Sequence, residues 1–336
     1  MGGPETHRNP APPDHGLLLG LDIGGTKIGL CVGTPGGDVL SSDRIDVDHA
    51  LAPEAILGEC RQRLGRLLES VGGGRRVLAL GAACPGPLDY KNGRFINPPN
   101  NPRWHGFALR DWLARAFEHP TAMMNDANAA ALAEWKWGAG RGVDNMVFLT
   151  MSTGMGSGLI IDGRLFEGPL GLAGEIGSIK LDSRDDGPVG FAKRGSVEGY
   201  GSGPGMSQMA VSEALVCIQS GQASRLADAY RVGGTVSTRE LCEAARAGDA
   251  AARRVTDRVA QELGRLMAVM TDILNPEVFV LGTIGTAYPD VFVPGALETL
   301  RREAVAAAAA IVRIEPSTLP DRGNQQALAA ALHALG

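Results

Sequence analysis

Runs of apolar residues that end in glycine divide the chain and predict buried strands that enter tight turns. Residues 16–25 form one such run, and residues 145–151 begin another that leads into a Gly-rich segment at 152–158. A second apolar stretch follows each turn, so each pattern predicts a strand, a turn and a return strand. The repeat predicts an internal duplication of architecture without a duplication of residues.

Apolar residues at helical spacing predict the helices that alternate with these strands. They cover residues 53–70, an Ala-rich stretch after residue 126, residues 249–274 and a last segment at 324–336. Strands that alternate with helices predict an α/β fold.

The length of 336 residues exceeds what one hydrophobic core usually covers, so two lobes are expected. The polar, Pro-rich start predicts a disordered tail over residues 1–15. The predicted small lobe covers residues 16–124, with the C-terminal helix at 322–336 packing back on it. The predicted large lobe covers residues 125–321.

Charge and cysteine usage exclude several classes of partner. The formal net charge is -5 and no basic segment is concentrated in the sequence, which argues against a nucleic-acid surface. Five widely spaced cysteines without a CxxC pair indicate reduced thiols, and hence a cytoplasmic protein. No apolar segment is long enough to span a bilayer, so no membrane partner is expected.

The two Gly-rich turns are candidate phosphate sites, because glycines let backbone N–H groups converge on an anion. A carboxylate at Asp22 would repel phosphate, so it is interpreted as a partner of Mg²⁺. Plain β-hairpins remain the alternative for both turns. The candidate residues are Asp22, Gly24, Gly25, Thr26 and Lys27 in the first turn, and Thr153, Gly154 and Gly156 in the second.

Asn125 and Asp126 follow an apolar strand and stand at the predicted N-cap position of the Ala-rich helix. One interpretation is capping, which both residue types do well. The other is a general base that accepts the proton of an attacking hydroxyl group. These residues alone leave both interpretations open.

Glu175 and Glu198 stand in Gly-rich segments with few other charges nearby. Such carboxylates suit hydrogen bonds to the vicinal hydroxyl groups of a sugar, and solvated loop residues are the alternative. No histidine stands at a spacing that indicates a metal site.

Five motifs follow one another along the chain: LGLDIGGTK, PGPLD, NDANAAALAE, STGMGSGLI and GEIGSIKL. In this order they resemble the ROK family of sugar kinases and sugar-responsive repressors, and the resemblance covers nearly the whole chain. The resemblance implies a duplicated actin-like (ribonuclease H-like) fold, with nucleotide and sugar bound in a cleft between two lobes. It also implies ATP and Mg²⁺ as cofactors, a small-molecule sugar as the partner, and a homodimer.

Residue by residue, the resemblance makes Asp126 the catalytic base and assigns sugar contacts to Asn100, Asn125, Glu175 and Glu198. It assigns phosphate binding to Asp22 through Lys27 and to Thr153 through Ser157. Gly282 and Thr283 match the adenosine motif, where the family more often has consecutive glycines.

The chain departs from the family at the structural zinc site. The one His and three Cys ligands of many members correspond here to Ser178, Val189, Phe191 and Ser196. Because Zn²⁺ in such sites is held by thiolate and imidazole ligands, no zinc is predicted. Val189 and Phe191 suggest a loop held by apolar packing. Ser178 replaces a His that commonly also contacts the sugar, so it is a candidate sugar-site residue.

The leading function implied by the resemblance is ATP-dependent phosphorylation of a hexose at its 6-hydroxyl group, with glucose first. Kinases for N-acetylmannosamine, fructose or another hexose are alternatives, and polyphosphate is an alternative donor. A sugar-sensing repressor and an inactive sugar-binding protein form a different class. Family repressors carry a helix-turn-helix domain ahead of this fold, and a first strand near Leu17 is expected to leave no room for one.

Overall fold

The structure, a computed structural model of the single chain, describes residues 16–98, 101–182 and 186–336. Its strands are β1 (Gly16–Ile23), β2 (Lys27–Gly33), β3 (Val39–Asp46), β4 (Arg76–Cys84), β5 (Leu88–Asp89), β6 (Arg94–Phe95), β7 (Thr121–Asn125), β8 (Met146–Met151), β9 (Met155–Ile161), β10 (Arg164–Leu165), β11 (Val189–Gly190), β12 (Lys193–Arg194), β13 (Val278–Thr283) and β14 (Arg313–Pro316).

The helices are α1 (Pro53–Val71), α2 (Leu109–Phe117), α3 (Asp126–Trp137), α4 (Val197–Gly201), α5 (Gly203–Ser220), α6 (Arg225–Gly233), α7 (Thr238–Arg246), α8 (Ala250–Leu274), α9 (Ile284–Ala287), α10 (Pro289–Glu303), α11 (Ala306–Ile311) and α12 (Arg322–His333). The four helices predicted in the sequence analysis are present as α1, α3, α8 and α12, with bounds close to the predicted ones. Single 3-10 turns lie at Pro102–Trp104 and Ile176–Ser178.

Two five-stranded sheets share one strand pattern. The first has the order β3-β2-β1-β4-β7, and the second has the order β10-β9-β8-β13-β14. In the first sheet β1 pairs antiparallel with β2 and parallel with β4. In the second sheet β10 pairs antiparallel with β9, and β13 pairs parallel with β8 and β14. The predicted duplication of architecture is confirmed.

The chain folds into two compact units. Among the described residues, unit 1 holds those up to Asp144 together with 158–173 and 318–336, and unit 2 holds those within 145–157 and 174–317. Helix α3 therefore belongs to unit 1, although the predicted large lobe starts at residue 125. The predicted lobe bounds stay a prediction.

Strand β1 is apolar at successive positions because both of its faces are covered. Leu17, Leu19 and Leu21 pack into one buried cluster with residues of α1, whereas Leu18 packs into a second cluster with Leu328 of α12. Sheets buried on both faces have continuous rather than alternating apolar strands.

Helix α12 approaches the first sheet closely because small residues face each other. A Cβ atom on Gly81 of β4 would overlap the backbone of Ala327 and Ala331, and one on Gly20 of β1 would lie 2.9 Å from the Cβ atom of Ala327. The Ala-rich sequence of α12 and these two glycines thus hold the helix directly on the strands.

Two predictions concern residues that the structure does not describe. The predicted tail at residues 1–15 and the predicted sugar contact Asn100 lie outside the described residues. Within the described part of the chain, no helix is long and apolar enough to cross a membrane.

Candidate functional site

The first Gly-rich turn, between β1 and β2, is fixed by backbone and amide hydrogen bonds in unit 1. The N–H of Gly24 donates to the carbonyl of Lys27 at 2.9 Å, and the N–H of Val47 donates to the carbonyl of Thr26 at 2.8 Å. The buried Asn101 donates its amide to the carbonyl of Gly24 at 3.2 Å. The side chains of Thr26 and Lys27 are exposed, so the turn presents a hydroxyl group and a charge to solvent.

Asp22, the next-to-last residue of β1, is a partly buried carboxylate. Its Oδ1 accepts a hydrogen bond of 2.7 Å from Gln326 of α12. A Cβ atom on Gly323 would lie 2.7 Å from its Oδ2, so the glycine makes room for the carboxylate. The pKa of Asp22 is raised to about 6, mainly by burial; the Gln326 hydrogen bond opposes this rise, and the charges of Asp126 and Asp321 contribute to it.

Asp126 lies in the same unit and begins α3 at the end of β7. The N-cap residue itself is Asn125, whose side-chain oxygen accepts from the N–H of Ala127 at 2.9 Å. The sequence analysis placed both residues at the N-cap position. In the structure only Asn125 occupies it, and Asp126 is the first residue of the helix. Asp126 is exposed, and its Oδ1 also accepts from the Ala127 N–H, at 2.8 Å.

The capping hydrogen bonds leave both residues able to act on a ligand. Because the Asn125 oxygen caps the helix, its amide nitrogen, which lies beside Gly86, is the atom that can donate to a ligand. A carboxylate at a helix N-terminus is favoured by the helix dipole. The exposed Asp126 can therefore be held in place and still accept a proton.

Sequence reasoning missed three residues that support the first turn and Asp22. Asn101 stands beside the predicted Asn100, so the tandem Asn pair was an available signal. Gln326 and Gly323 lie at the polar start of a helix that the sequence did predict. Their role depends on how α12 approaches β1, and this has no local sequence signal.

The second Gly-rich turn, between β8 and β9, is held in unit 2 by a carboxylate. The N–H of Ser152 donates to the carbonyl of Gly154 at 2.9 Å, and the N–H of Gly203 donates to the carbonyl of Ser152 at 2.7 Å. The N–H of Met155 donates to Oε2 of Glu198 at 3.3 Å. A Cβ atom on Gly154 would lie 2.9 Å from that oxygen, so the glycine leaves room for the carboxylate.

The other predicted residues of this turn lie on both sides of Met155, where β9 begins. Thr153 is exposed and Gly156 is half-buried, whereas Ser157 is buried. The Ser157 hydroxyl group donates to the carbonyl of Gly174 at 2.8 Å. Of Thr153 and Ser157, only Thr153 thus presents its hydroxyl group to solvent.

Glu198 and Glu175 are brought together, as the sugar-site prediction requires. Oε1 of Glu198 accepts from the N–H of Phe191 at 2.8 Å, so both of its oxygens bind backbone amides. Since each carboxylate oxygen has two lone pairs, Glu198 keeps acceptor capacity for a ligand. Glu175 is exposed, and partial loss of solvent and the charge of Glu198 raise its pKa. The Ser178 hydroxyl group donates to the Glu175 carbonyl at 3.1 Å.

The predicted apolar packing of Val189 and Phe191 is wrong. Their exposed fractions are 40% and 49%, because they lie on a two-stranded hairpin, β11 and β12, that turns at solvent. Phe191 and Ala192 form its two-residue turn with φ of 52° and 55°. Two central residues at positive φ are typical of a tight hairpin turn, which directs the chain back without burying the side chains.

Hydrogen bonds hold this hairpin at the positions of the family's zinc ligands. Gln208 of α5 binds the backbone of Val189 twice, accepting from its N–H at 3.0 Å and donating to its carbonyl at 2.8 Å. The buried Ser196 hydroxyl group donates to the carbonyl of Gly190 at 2.7 Å. Nζ of Lys193 donates to the carbonyl of Ser178 at 2.8 Å.

The residues present do not fit Zn²⁺. Ser178, Val189, Phe191 and Ser196 offer neither thiolate nor imidazole. Across residues 16–98, 101–182 and 186–336, no group of three or more His, Cys, Asp or Glu residues could hold a metal ion.

The predicted adenosine residues lie beside the second turn in unit 2. Gly282 ends the buried part of β13, and the exposed Thr283 follows it with φ of 51° and ψ of -104°. Gly203, which is hydrogen-bonded to Ser152, accepts a hydrogen bond of 3.1 Å from the Thr238 hydroxyl group at the start of α7. A Cβ atom on Gly203 would lie 3.6 Å from Ile284. The starts of α5, α7 and α9 therefore meet at this turn.

Comparison with known families matches the ROK family over residues 18–331. The chain belongs to the ROK family. The predicted family is confirmed, and so is its duplicated actin-like α/β fold class. The departure at the zinc positions makes this chain a family variant without the Cys and His ligands.

Individual relatives include both kinases and a repressor. A glucokinase of Halalkalibacterium halodurans is 31% identical over 265 residues, which is 79% of each chain. A xylose repressor of Caldicellulosiruptor bescii is 27% identical over 92% of this chain and 76% of the repressor. The solved structure of a ROK family glucokinase from Streptomyces griseus, in complex with glucose and AMPPNP, is 26% identical with a TM-score of 0.73. That match covers 95% of this chain and all of the glucokinase.

Proposed function

We propose that this ROK family protein is an ATP-dependent hexose kinase that phosphorylates the 6-hydroxyl group, with glucose as the leading substrate. The observation that carries the proposal is Asp126, an exposed carboxylate fixed by the capping geometry of Asn125. The kinase relative and the glucokinase complex with glucose and AMPPNP support it.

In this reaction Asp126 accepts the proton of the 6-hydroxyl group while that oxygen attacks the γ-phosphorus of ATP. The bond between this phosphorus and the oxygen bridging to the β-phosphate breaks, and ADP leaves with that oxygen. Phosphoryl transfer requires positioning and charge neutralisation more than covalent chemistry from the protein. The N–H groups of Gly25 and Thr26 in the first turn, and of Thr153 and Gly154 in the second, are proposed to donate to the phosphates. Gly24 and Gly156 are proposed to let the backbone approach the phosphates, and Lys27 to add a positive charge. Gly282 and Thr283 are proposed to contact the adenosine.

Asp22 fits a role in holding Mg²⁺. Its carboxylate is a hard oxygen ligand. Its pKa is raised mainly by burial and also by the charges of Asp126 and Asp321, and a nearby cation would offset both effects. Mg²⁺, when bound with ATP, neutralises phosphate charge. Gln326 and Gly323 then serve to orient the Asp22 carboxylate.

For the sugar, we propose hydrogen bonds from the amide of Asn125 and to the carboxylates of Glu175 and Glu198. Asn100 is proposed from its motif position alone. Ser178 replaces the imidazole that many members present here, and its hydroxyl group turns towards the Glu175 carbonyl. The sugar side of the site therefore differs from that of members with His at this position. A homodimer in the cytoplasm remains part of the proposal.

A second candidate is a sugar-sensing protein without kinase activity, which the similarity to a xylose repressor supports. Two measurements on one panel of sugars distinguish the kinase from the sugar-sensing protein. The panel contains glucose, fructose, mannose, xylose and N-acetylmannosamine, with ATP and Mg²⁺, and each sugar is tested for ADP release and for binding by calorimetry.

We expect glucose to give the fastest ADP release, with the phosphate on its 6-oxygen. Faster release with N-acetylmannosamine would replace glucose but keep the kinase. Sugar binding without ADP release from any sugar, under conditions where ATP also binds, would support the second candidate instead. Replacing ATP by polyphosphate in the same assay tests the alternative donor.

A further inference from the structure

A cavity of about 960 Å³ opens within unit 1, and none of the residues assigned to the reaction lines it. The last turn of α3, the last turn of α12, strand β10 and the turn between β2 and β3 form its walls. Its volume falls at the upper end of the range for small-molecule sites.

Two fixed tryptophans make the cavity walls flat and apolar. The indole N–H of Trp135 donates to the carbonyl of Val143 at 2.8 Å, so the polar atom of the ring is satisfied within the protein. Trp137 lies against Gly37, where any Cβ atom would overlap the ring. Trp137 and Leu332 pack on the edge of the core cluster under α12. Both rings are thereby held in place before any ligand arrives.

The charged side chains that line the cavity are all basic. They are Lys136, Arg141 and Arg164; His333 also lines it, and none of its described lining residues is Asp or Glu. Nζ of Lys136 lies 4.4 Å from the centre of the Trp135 ring, and burial lowers the pKa of Lys136. The Lys and Arg residues of the lining come from separate segments of a chain with net charge -5. The sequence therefore shows no single basic segment that would reveal them.

From these features we infer that the cavity is a binding site for a small organic anion with a flat apolar body. The tryptophan faces and Leu332 match the apolar body, and Arg141 and Arg164 match a sulfonate, phosphate or carboxylate group. Guanidinium groups bind such oxyanions through charge-assisted, paired hydrogen bonds. This inference goes beyond the proposed kinase activity and does not depend on it.

The site is distinct from the candidate catalytic residues. Asp126 begins α3 and Trp137 ends it, and twelve residues of helix separate positions by roughly 16 Å at 1.5 Å per residue. A ligand in this cavity therefore leaves room for a sugar at Asp126.

Fluorescence titration with 1-anilinonaphthalene-8-sulfonate tests the inference on the full chain. The neutral 1-anilinonaphthalene is the probe without the anion. The double variant Arg141→Gln/Arg164→Gln removes two lining charges. The control variant Arg61→Gln/Arg66→Gln removes two exposed charges from α1 in the same unit. Circular dichroism establishes that all three proteins are folded before titration.

We expect the sulfonate to bind the unsubstituted chain with one site, and energy transfer from tryptophan to accompany binding. The lining variant should bind it at least tenfold more weakly, and the control should stay within twofold. The neutral analogue should also bind at least tenfold more weakly. Equal affinity in the lining variant, many sites per chain, or displacement of the sulfonate by glucose with ATP and Mg²⁺ would overturn the inference.

Discussion

The two Gly-rich turns share one strand frame but place their carboxylates in opposite environments. At the first turn, the neutral amide of Asn101 holds the backbone, and Asp22 stands nearby with a pKa of about 6. At the second turn, Glu198 itself holds the structure through hydrogen bonds from the backbone N–H groups of Met155 and Phe191.

The difference shows that carboxylates can have different roles at equivalent turns of a duplicated fold. A carboxylate that is desolvated next to other carboxylates destabilises the protein unless a cation is bound. A carboxylate that accepts backbone amides stabilises the segments it joins. We therefore expect the same chemical change, carboxylate to amide, to have opposite effects at the two turns.

The largest expected stability effect is a loss in Glu198→Gln. The amide group places an NH₂ against a backbone N–H and removes the charge from the other hydrogen bond, so the free energy of unfolding should fall by about 4 kcal/mol. Urea unfolding followed by circular dichroism measures it. Glu175→Gln is the matched control, because the Glu175 side chain is exposed, and we expect a change below about 1 kcal/mol. Equal losses in both variants would contradict the bridging role of Glu198.

The opposite effect is expected for Asp22→Asn, measured without ATP and Mg²⁺. Burial raises the pKa of Asp22 from 3.8 to about 6, so the charged carboxylate destabilises the fold at neutral pH. The variant should be more stable by up to about 3 kcal/mol at pH 8.

The pH dependence of the stability gain in Asp22→Asn tests the direction of this effect. Well below pH 3.8, its ordinary pKa, the Asp22 carboxyl group is neutral in both the folded and the unfolded chain, so the gain should vanish there. It should grow between pH 4 and pH 6 and stay constant above, as measured by urea unfolding at each pH. A variant that is less stable than the unsubstituted chain at pH 8 would contradict the account of the first turn.

The smallest expected effect concerns the hairpin next to the second turn. Because Gln208, Ser196 and Lys193 hold it by hydrogen bonds, a chelator should leave the thermal midpoint unchanged. Metal analysis of the purified protein should find less than about 0.1 Zn²⁺ per chain. One Zn²⁺ per chain, or a midpoint that falls with chelator, would show that this region is held as in other members.

Local patterns predicted the strands around the two Gly-rich turns, the helices α1, α3, α8 and α12, and the duplication, because burial and turn formation depend on the types of neighbouring residues. The apolar run of β1 and the polar cap at Asn125 are examples. The zinc positions were also readable, since ligand chemistry follows directly from residue type. These features need no knowledge of the tertiary arrangement.

Other features depend on tertiary approach and were missed or misjudged. The Gln326 contact with Asp22 joins residues 304 positions apart, and the basic cavity gathers side chains from several segments. Val189 and Phe191 were expected to pack because they are apolar, but their hairpin ends at solvent. Residue type predicts burial only when the position of the segment is known.

The measurement that tests the central claim most directly is ADP release by Asp126→Asn with glucose, ATP and Mg²⁺, together with glucose binding by calorimetry. The asparagine keeps a side-chain oxygen for the cap, so the fold and glucose affinity should persist. The turnover number should fall by about 10²–10⁴, the range for loss of a general base. Full turnover in this variant would contradict the assignment of Asp126 as the base.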